Sequence, residues 1–235
     1  MNSDSSTQTV PQPRHTGFDR STNLSARAKT AAFFMPQDRL GAADPAARIA
    51  DVDDGLDIVD VRDPFTPEFN RLWMIYTTSF PEDERRSFLE HELLLDDSRF
   101  HFGAICDEGL PVGLASYWEL HDMLFVEHLA IAPEHRSAGY GGRALEHLQY
   151  YADRMIVLDV ASEDDAPDAA RRVRFYERHG FRYCRRSVEL PTYTLAKPAV
   201  SHLMVWAPNH AKLTQKQMMR VIRRGIYNLD VAVAK

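Results

Sequence analysis

Residues 127–148, EHLAIAPEHRSAGYGGRALEHL, join an apolar segment to an amphipathic one through a turn that contains three glycines. The centre of this stretch, residues 136–142, has the composition of a loop between a strand and a helix. Such a loop directs several backbone N–H groups into one concavity at a helix N-terminus, where the helix dipole is positive. The sequence therefore predicts a binding site for phosphate oxygens, with Arg136 as an additional cationic donor.

Four interpretations of this loop are open on its residues alone. A Walker loop needs Gly-x-x-x-x-Gly-Lys-Ser/Thr, and the Lys-Ser/Thr pair is missing here. A dinucleotide-binding loop needs Gly-x-Gly-x-x-Gly, which residues 139–144 match only with Ala144 in the last position. The third pattern is Arg-x-x-Gly-x-Gly directly after a strand, and the fourth interpretation is an ordinary turn. The rest of the chain has to decide between them.

Length and composition limit the class of protein. The chain of 235 residues allows one domain of ordinary size with terminal extensions. It has no apolar run of the roughly 18 residues that a membrane span requires, and its N-terminus lacks the apolar core of a secretory signal. Cys106 and Cys184 form no metal-binding pattern. We therefore expect no metal, no membrane partner and a reducing, cytoplasmic location.

The net charge of −6 is unevenly distributed along the chain. Residues 1–50 carry +2 and residues 209–235 carry +5, so residues 51–208 carry −13. An acidic central domain repels nucleic acid and attracts cations, although such a charge also serves plain solubility. We therefore expect no nucleic-acid partner.

The chain divides into three predicted regions. Residues 1–53 are rich in Ser, Thr, Gln, Pro and Ala, which is typical of a disordered leader. Residues 54–208 form the predicted domain, and residues 209–235 contain a basic amphipathic helix, over 211–228, that we expect to dock on it. An antiparallel meander joined to a crossover helix indicates a mixed α/β (α+β) fold. The predicted elements of the domain, in order, are a strand (56–63), two helices (68–80 and 82–95), three strands (101–107, 112–120 and 125–131), a helix (141–154), a strand (155–160), a helix (168–179) and two strands (181–190 and 202–206).

The glycine loop and a second motif together resemble the GNAT superfamily of acyl-CoA N-acyltransferases. The second motif, RFYERHGF at residues 174–181, follows the loop after a helix and a buried strand. The resemblance covers about residues 56–208, and SFPEDERR at 79–86 is similar to the FPEEERR-type segment of a bacterial subgroup. It implies the GNAT fold, a mixed and mostly antiparallel sheet with flanking helices, in which two strands splay apart to form a cofactor cleft.

The resemblance also implies that acetyl-CoA is the co-substrate. The glycine loop would hold its pyrophosphate, and the main chain of the strand before the loop would pair with the pantetheine arm. One position departs from the family pattern, because Ala169 stands seven residues before Tyr176, where many relatives have an asparagine that contacts the cofactor. The implied cofactor-binding residues are Leu129, Ala130, Ile131, Arg136, Ser137, Ala138, Gly139, Tyr140, Gly141 and Gly142, with Arg143 extending the contact.

Transfer of an acyl group to an amine needs a base for the acceptor and an acid for the departing thiolate. Glu127 is the candidate base, because it lies on a buried strand where desolvation is expected to raise its pKa. The alternative for Glu127 is a carboxylate paired with an arginine. His128 should point to the opposite face of the strand and act as a satisfied histidine. Tyr176 is the candidate acid by resemblance, and the alternative is a core aromatic residue.

The junction of the first two helices usually lines the acceptor site in this superfamily. Its charged segment supplies Glu82 and Arg85 as candidate substrate contacts, although a charge run is more often a solvated face. The resemblance implies a cytoplasmic, acetyl-CoA-dependent N-acetyltransferase that acts on a small-molecule or peptide primary amine by direct transfer in a ternary complex. A non-catalytic acyl-CoA-binding sensor and a transferase of a longer acyl group stay open as alternatives. The assembly stays open between a monomer and a homodimer.

Overall fold

The computed structural model describes residues 55–162, 168–193, 198–208 and 213–228, so the predicted leader lies outside the described residues. The strands form one sheet in the order β1–β2–β3–β4–β5–β7–β6. The pair β4–β5 is parallel and the other pairs are antiparallel. The strands are β1 (Leu56–Asp60), β2 (Phe100–Asp107), β3 (Leu110–Leu120), β4 (Met123–Ile131), β5 (Met155–Ala161), β6 (Arg182–Leu190) and β7 (Ala199–Trp206).

Five α-helices lie within the described residues, and they cover both faces of the sheet. They are α1 (Pro67–Ser79), α2 (Phe88–Leu94), α3 (Tyr140–Tyr151), α4 (Ala169–Arg178) and α5 (Gln215–Gly225). Helices α1, α2 and α5 pack on one face, which we call face 1, and α3 and α4 pack on the opposite face, face 2. This arrangement confirms the predicted mixed, mostly antiparallel α/β fold. No helix among the described residues is long and apolar enough to span a membrane.

Each face of the sheet has its own hydrophobic core, and β5 contributes to both. Met155 and Val157 belong to the core of face 1, whereas Ile156 and Leu158 belong to that of face 2. Side chains of a strand alternate between the two faces, so a strand covered on both sides reads as one continuous apolar run. The same alternation gives the face of the sheet to which each side chain further along β5 points.

The C-terminal helix α5 docks on face 1, as its amphipathic pattern predicts. Met218 and Ile222 are buried in the face 1 core. Thr214 caps the helix N-terminus, where its side chain accepts from the Gln217 N–H and the Gln217 side chain accepts from the Thr214 N–H. The helix begins at Gln215, so the first part of the predicted 211–228 range is not helical or lies outside the described residues.

The helix predicted over residues 82–95 is wrong in its first half. Glu82–Glu84 is a 3₁₀ turn, and Arg85 is extended, with φ −138° and ψ 150°. The α-helix begins only at Phe88, because Ser87 and Glu90 form a capping box. The backbone N–H of Arg86 donates to the Tyr76 hydroxyl at 2.9 Å. Burial of Arg86 therefore overrides the helical pattern of the surrounding charged residues.

Strands β4 and β5 separate part-way along their length. Their pairing ends at Val126 and Leu158, although β4 continues to residue 131 and β5 to residue 161. The separation coincides with a bulge in β4, since Ser116 of β3 pairs with His128 and the next β3 residue pairs with Val126. Glu127 is the extra residue of this bulge. We call the opening between residues 127–131 and 159–161 the fork; it confirms the splayed strand pair that the family resemblance implies.

A histidine without hydrogen-bond partners lies in the face 1 core. His91 is 1% exposed, and its ring centroid lies 4.2 Å from that of Phe102. Among the described residues, neither ring nitrogen has a hydrogen-bond partner. Burial, together with the nearby charge of Arg86, lowers the pKa of His91 to about 3. This side chain is therefore neutral in the folded protein near pH 7.

We expect His91 to make the fold sensitive to acid. The unfolded chain binds a proton at His91 below about pH 6.5, whereas the folded chain does so only near pH 3. The unfolded state then holds more protons between these values, so the free energy of unfolding should fall as the pH drops. The contribution of His91 between pH 6.5 and 5 should be about 1–2 kcal/mol. Denaturant unfolding of wild type and His91→Phe at both pH values measures it.

The exposed histidine His121 provides the control for this experiment. His121→Asn should keep the pH dependence of the wild type, because its side chain is 94% exposed. Equal slopes of stability against pH in wild type and His91→Phe would show that His91 does not carry the effect.

Candidate active site

The glycine loop presents a row of backbone donors at the N-terminus of α3. No hydrogen bond among the described residues uses the N–H groups of residues 137–141. Ser137 and Gly139 have φ values of 67° and 86°, and Gly139 caps α3 without a side-chain bond. Successive N–H groups around left-handed residues converge on a concavity that binds anions. The loop therefore offers a cradle for phosphate oxygens at the positive end of a helix dipole.

Close packing behind the loop explains why residue 142 is a glycine. A Cβ on Gly142 would lie 2.6 Å from Nε2 of His179, whose Nδ1 lies 2.8 Å from the Phe175 carbonyl oxygen. The first turn of α3 thus fits against the end of α4 because residue 142 has no side chain. The exposed Arg136 donates through Nε to the Ile131 carbonyl at 3.1 Å, which holds its side chain beside the loop.

Substitution of Gly139 should weaken CoA binding. A Cβ at this position meets no atom within 4 Å, so the obstacle is the backbone, which a valine would shift out of its left-handed conformation. Gly139→Val should weaken binding of CoA at least tenfold, about 1.4 kcal/mol, as measured by calorimetry. Gly109→Val is a matched control, because Gly109 has a similar φ of 83° in the β2–β3 turn. Equal affinity of both variants and the wild type would remove the loop from the binding site.

Main-chain groups of β4 point into the fork beyond the bulge. The Ala132 N–H donates to the Val112 carbonyl of β3 at 2.9 Å, and the Ala130 carbonyl also faces β3. By alternation, the main-chain groups of Leu129 and Ile131 point away from β3, into the fork. Of the three predicted contacts on this strand, Leu129 and Ile131 therefore have backbone groups that face the opening, whereas those of Ala130 are used in the sheet.

Glu127 is the centre of a buried hydrogen-bond network on face 1. Its side chain is 4% exposed, and its two oxygens accept from the two terminal nitrogens of Arg86, one of these bonds measuring 2.9 Å. Trp118 Nε1 donates to one oxygen at 3.3 Å, and the Tyr193 hydroxyl donates to the other. The Tyr193 hydroxyl lies 3.5 Å from that of Tyr227, which follows α5. Each carboxylate oxygen therefore accepts two bonds, and the network joins five separate segments of the chain.

The raised pKa expected for Glu127 is wrong. Burial alone would raise it, but the charge of Arg86 and the hydrogen bonds from Arg86 and Tyr193 lower the pKa of Glu127 to about 2. A carboxylate that stays ionised and has both oxygens occupied is a weak proton acceptor. These contacts match the alternative of an arginine-paired carboxylate, and the role of Glu127 as the base stays a prediction.

His128 lies on the same face as Glu127, contrary to the alternation expected from the sequence. The bulge adds one residue to β4 and shifts the order of side chains, so the His128 ring packs 4.9 Å from that of Tyr76 in the face 1 core. Nε2 lies 2.8 Å from the Glu84 carbonyl, and Nδ1 lies 2.9 Å from Ser116 Oγ. A carbonyl only accepts, so Nε2 carries the proton and Nδ1 accepts from Ser116.

The electrostatics of His128 agree with this assignment. Burial lowers the pKa of His128, which is therefore neutral near pH 7. Both ring nitrogens are used, as expected for a satisfied histidine. Its function in the fold is to hold the Glu84 carbonyl, and thus the 3₁₀ turn, against the edge of the fork.

Tyr176 lies on α4, on the opposite side of the sheet from Glu127. Its ring is partly buried in the face 2 core and packs against Phe175 and Phe181, with centroid distances of 5.2 and 5.8 Å. Burial raises the pKa of Tyr176 to about 12, against a lowering effect of Arg172 and with a further rise from Asp159. The hydroxyl therefore stays protonated at working pH and lies within electrostatic reach of β5 at the fork.

Asp159 is a fork residue that the sequence analysis missed. It is the first residue of β5 beyond the last β4–β5 pair, and alternation along β5 directs it to face 1. Burial raises the pKa of Asp159 to about 6; a hydrogen bond from Ser201 lowers it, and the charges of Glu127 and Glu84 raise it further. An acidic residue inside the buried run MIVLDV was the signal that could have identified it, because an unpaired carboxylate is rarely placed there without a role.

The two residues predicted to contact the acceptor lie close together in sequence. Glu82 is in the 3₁₀ turn and Arg85 directly follows it. Glu82 is exposed, whereas Arg85 is half-buried, and its Nε has no hydrogen-bond partner among the described residues. Burial raises the pKa of Glu84, Arg172 lowers it and Asp83 raises it. Glu84 lies beside the fork, because its carbonyl is 2.8 Å from His128 Nε2 and its charge acts on Asp159.

Comparison with known proteins agrees with this geometry. Residues 66–181 match the model of the acetyltransferase (GNAT) family. These residues belong to the GNAT superfamily. The matched range contains the glycine loop, the fork and the RFYERHGF motif, which together carried the resemblance in the sequence.

Two relatives extend the similarity beyond the matched range. The acetyltransferase homologue YjbC of Bacillus subtilis (strain 168) is 28% identical over 153 residues, which are 64% of this chain and 76% of that protein. A GNAT-family protein of Bacteroides thetaiotaomicron superposes with a TM-score of 0.67 and 29% identity, covering 74% of this chain and 99% of that one. The fold of the GNAT domain is therefore shared over nearly the whole of a solved relative.

One family position differs within the GNAT domain of this chain. Ala169 begins α4 and is fully buried, so it offers no polar side chain to a cofactor. Arg172, one turn later, is exposed, and its charge acts on Tyr176, Glu84 and Asp159. Arg172 thus places a cation within electrostatic reach of the fork, whereas residue 169 lacks the asparagine that the family resemblance implies.

Proposed function

We propose that this protein is an acetyl-CoA-dependent N-acetyltransferase that transfers the acetyl group to a primary amine of a small molecule or peptide. The observation that carries the proposal is the fork, which has free backbone donors at the glycine loop and a tyrosine and a carboxylate, Tyr176 and Asp159, at its inner end. Membership of the GNAT superfamily supports acyl transfer in general.

The residues present fit the co-substrate. The unused N–H groups of residues 137–141 and the charge of Arg136 would hold the pyrophosphate, and the main chain of Leu129 and Ile131 would pair with the pantetheine amides. When bound, acetyl-CoA supplies an activated thioester. The chain itself then has to position an amine beside the fork, hold it in the neutral form and provide a proton for the thiolate.

Direct transfer in a ternary complex is supported by the state of the thiols. Burial raises the pKa of the Cys106 thiol to about 12, and it also raises that of Cys184. A thiol of high pKa is a weak nucleophile near pH 7, since the thiolate is the reactive species. Both cysteines are free, which also fits a reducing, cytoplasmic location.

Tyr176 is the proposed acid. It approaches the fork from face 2, and its hydroxyl keeps its proton because its pKa is about 12. A proton donor at the inner end of the fork would neutralise the thiolate as the carbon–sulfur bond breaks. The network of Glu127 would support catalysis indirectly, because it holds Arg86, Tyr193 and β4 in one arrangement beside the acceptor.

An acceptor screen tests the proposed activity. The protein is incubated with acetyl-CoA and a panel of primary amines and peptides, and the products are detected by mass spectrometry. Acetylated product and free CoA should form in equal amounts. CoA binding without transfer to any amine would support the sensor alternative, and faster transfer from a longer acyl-CoA would replace acetyl as the donor group.

A further inference from the structure

We propose that Asp159 is the general base of this enzyme and that it receives the acceptor as an alkylammonium ion. The inference rests on the proposed function and adds two things to it. It assigns the proton acceptor to β5 instead of β4, and it restricts the acceptor to amines that are cationic in solution.

The position of Asp159 relative to Tyr176 supports this role. Asp159 lies at the point where β5 leaves β4 and points to face 1, whereas Tyr176 packs at the face 2 core. The two groups are close enough for the charge of Asp159 to raise the pKa of Tyr176. An acid and a base on opposite sides of the fork leave the opening between them for the reacting atoms.

Face 1 at Asp159 is also the side on which the charged segment after α1 and the end of α5 lie. Glu84 of the 3₁₀ turn and Tyr227 after α5 both interact electrostatically with Asp159. An acceptor that enters beside these elements would approach Asp159 from face 1. The carboxylate is therefore placed on the acceptor side of the fork.

The charges around Asp159 favour a cationic ligand. The Glu127 charge is balanced by Arg86 in a bidentate ion pair, whereas Asp159 has no such pair among the described residues. Burial and the negative charges of Glu127 and Glu84 raise the pKa of Asp159, against the effects of Ser201 and Arg172, and it reaches about 6. An ammonium group beside Asp159 and Glu84 would relieve this excess of negative charge.

Asp159 is better suited than Glu127 to accept a proton. A carboxylate has about four lone-pair positions, and the hydrogen bond from Ser201 leaves others available to a substrate N–H. A base whose pKa is near 6 is largely deprotonated at pH 7 and still holds a proton well enough to assist its transfer. Glu127, with a pKa of about 2 and both oxygens occupied, lacks both properties.

The proton inventory of the step balances. The Asp159 carboxylate takes one proton from R–NH₃⁺, and the nitrogen lone pair of R–NH₂ forms a bond to the thioester carbonyl carbon. As the carbon–sulfur bond breaks, Tyr176 gives its proton to the departing sulfur. The second nitrogen proton returns to the Tyr176 oxygen, and Asp159 releases its proton to solvent. The products are the amide, the free thiol and one proton.

The test compares Asp159→Asn with the wild type and with Asp122→Asn, an exposed carboxylate in the β3–β4 turn. Using the amine identified by the acceptor screen, Asp159→Asn should lower kcat by about 10²-fold and leave the Kd for CoA unchanged. The wild-type rate should rise with pH through about 6, and this limb should be absent from the variant. Asp122→Asn should match the wild type.

Three further measurements separate a base from a merely structural residue. Carbon-13 NMR of labelled aspartate carboxyls should show one group that titrates near pH 6, absent in Asp159→Asn and shifted to lower pH by the bound amine. The hydrogen bond from Ser201 lowers the pKa of Asp159. Its loss in Ser201→Ala should therefore raise this pKa and move the acidic limb of the rate to higher pH. Hydroxylamine, which is uncharged near pH 7, should react with wild type and Asp159→Asn at similar rates.

The outcomes distinguish this proposal from the proposed function. Transfer by the wild type with an unchanged rate and pH profile in Asp159→Asn would overturn the base assignment alone. An Asp159 carboxyl that titrates near pH 4, or an equal loss of rate with hydroxylamine, would do the same. No transfer to any amine by the wild type would overturn the proposed function and the base assignment together.

Discussion

Replacing Glu127 by glutamine is expected to lower the free energy of unfolding by about 3–5 kcal/mol, because it leaves a buried charge without a partner. Arg86 is 7% exposed and lies against the rings of Phe100, Trp118 and Tyr193, the last with its guanidinium carbon 4.5 Å from the ring centroid. Aromatic faces attract this cation but do not replace a carboxylate. Denaturant unfolding at pH 7 measures the change.

The Arg86–Glu127 pair can be isolated with a double-mutant cycle. Arg86→Met should also destabilise the protein, since it leaves the Glu127 carboxylate buried and unpaired, and the double variant Glu127→Gln/Arg86→Met should cost less than the two single variants together. Glu134→Gln, which removes an exposed ion pair with Arg71, is the control and should change stability little.

The same experiment decides between the two interpretations of Glu127. If its function is to hold Arg86, Glu127→Gln loses stability, and its activity falls only as the folded fraction falls. A variant that keeps the wild-type unfolding curve and loses turnover would restore Glu127 as the base. The distinction matters because the network reaches Tyr227, so its loss should also loosen the C-terminal helix.

Replacing Tyr176 by phenylalanine is expected to lower kcat by about 10²-fold or more, with little change in the Kd for acetyl-CoA. The substitution keeps the ring, which packs against Phe175 and Phe181, and removes only the hydroxyl. Steady-state kinetics with the identified amine, together with calorimetry, separate the two effects. Because the pKa of Tyr176 is about 12, the pH profile near neutrality should keep its shape.

Tyr150→Phe is a suitable control for the tyrosine experiment. Tyr150 lies on α3 and packs edge-to-face against Tyr151, away from the fork, so its hydroxyl should not affect turnover. Full activity of Tyr176→Phe would contradict the proposed acid role and leave Tyr176 as an aromatic residue of the face 2 core.

Most of the fold was predictable because its signals are local. The strand periods, the glycine loop and the Gly180 that ends α4 with a φ of 80° each depend on a few neighbouring residues. The error over residues 82–95 has the opposite origin. The segment reads as helical, but Arg86 is drawn into the interior by Glu127, a residue 41 positions away.

The predictions for the candidate site divide in the same way, into those that rest on local signals and those that depend on distant residues. Residues 136–142 form the predicted donor loop, since a glycine-rich turn before a helix carries its own geometry. The face that His128 occupies was predicted wrongly. The bulge depends on how β3 and β4 pair, and no local pattern in β4 indicates it.

What the sequence by itself determined is therefore the order of elements, the donor loop and the GNAT resemblance, all of which follow from periodicity and short motifs. Only the tertiary structure decided which of two buried-strand carboxylates is paired with an arginine. Glu127 and Asp159 both stand in buried strands, and burial alone raises the pKa of each. Arg86 reaches one of them and not the other, and the charge of a distant partner outweighs the desolvation that both residues share.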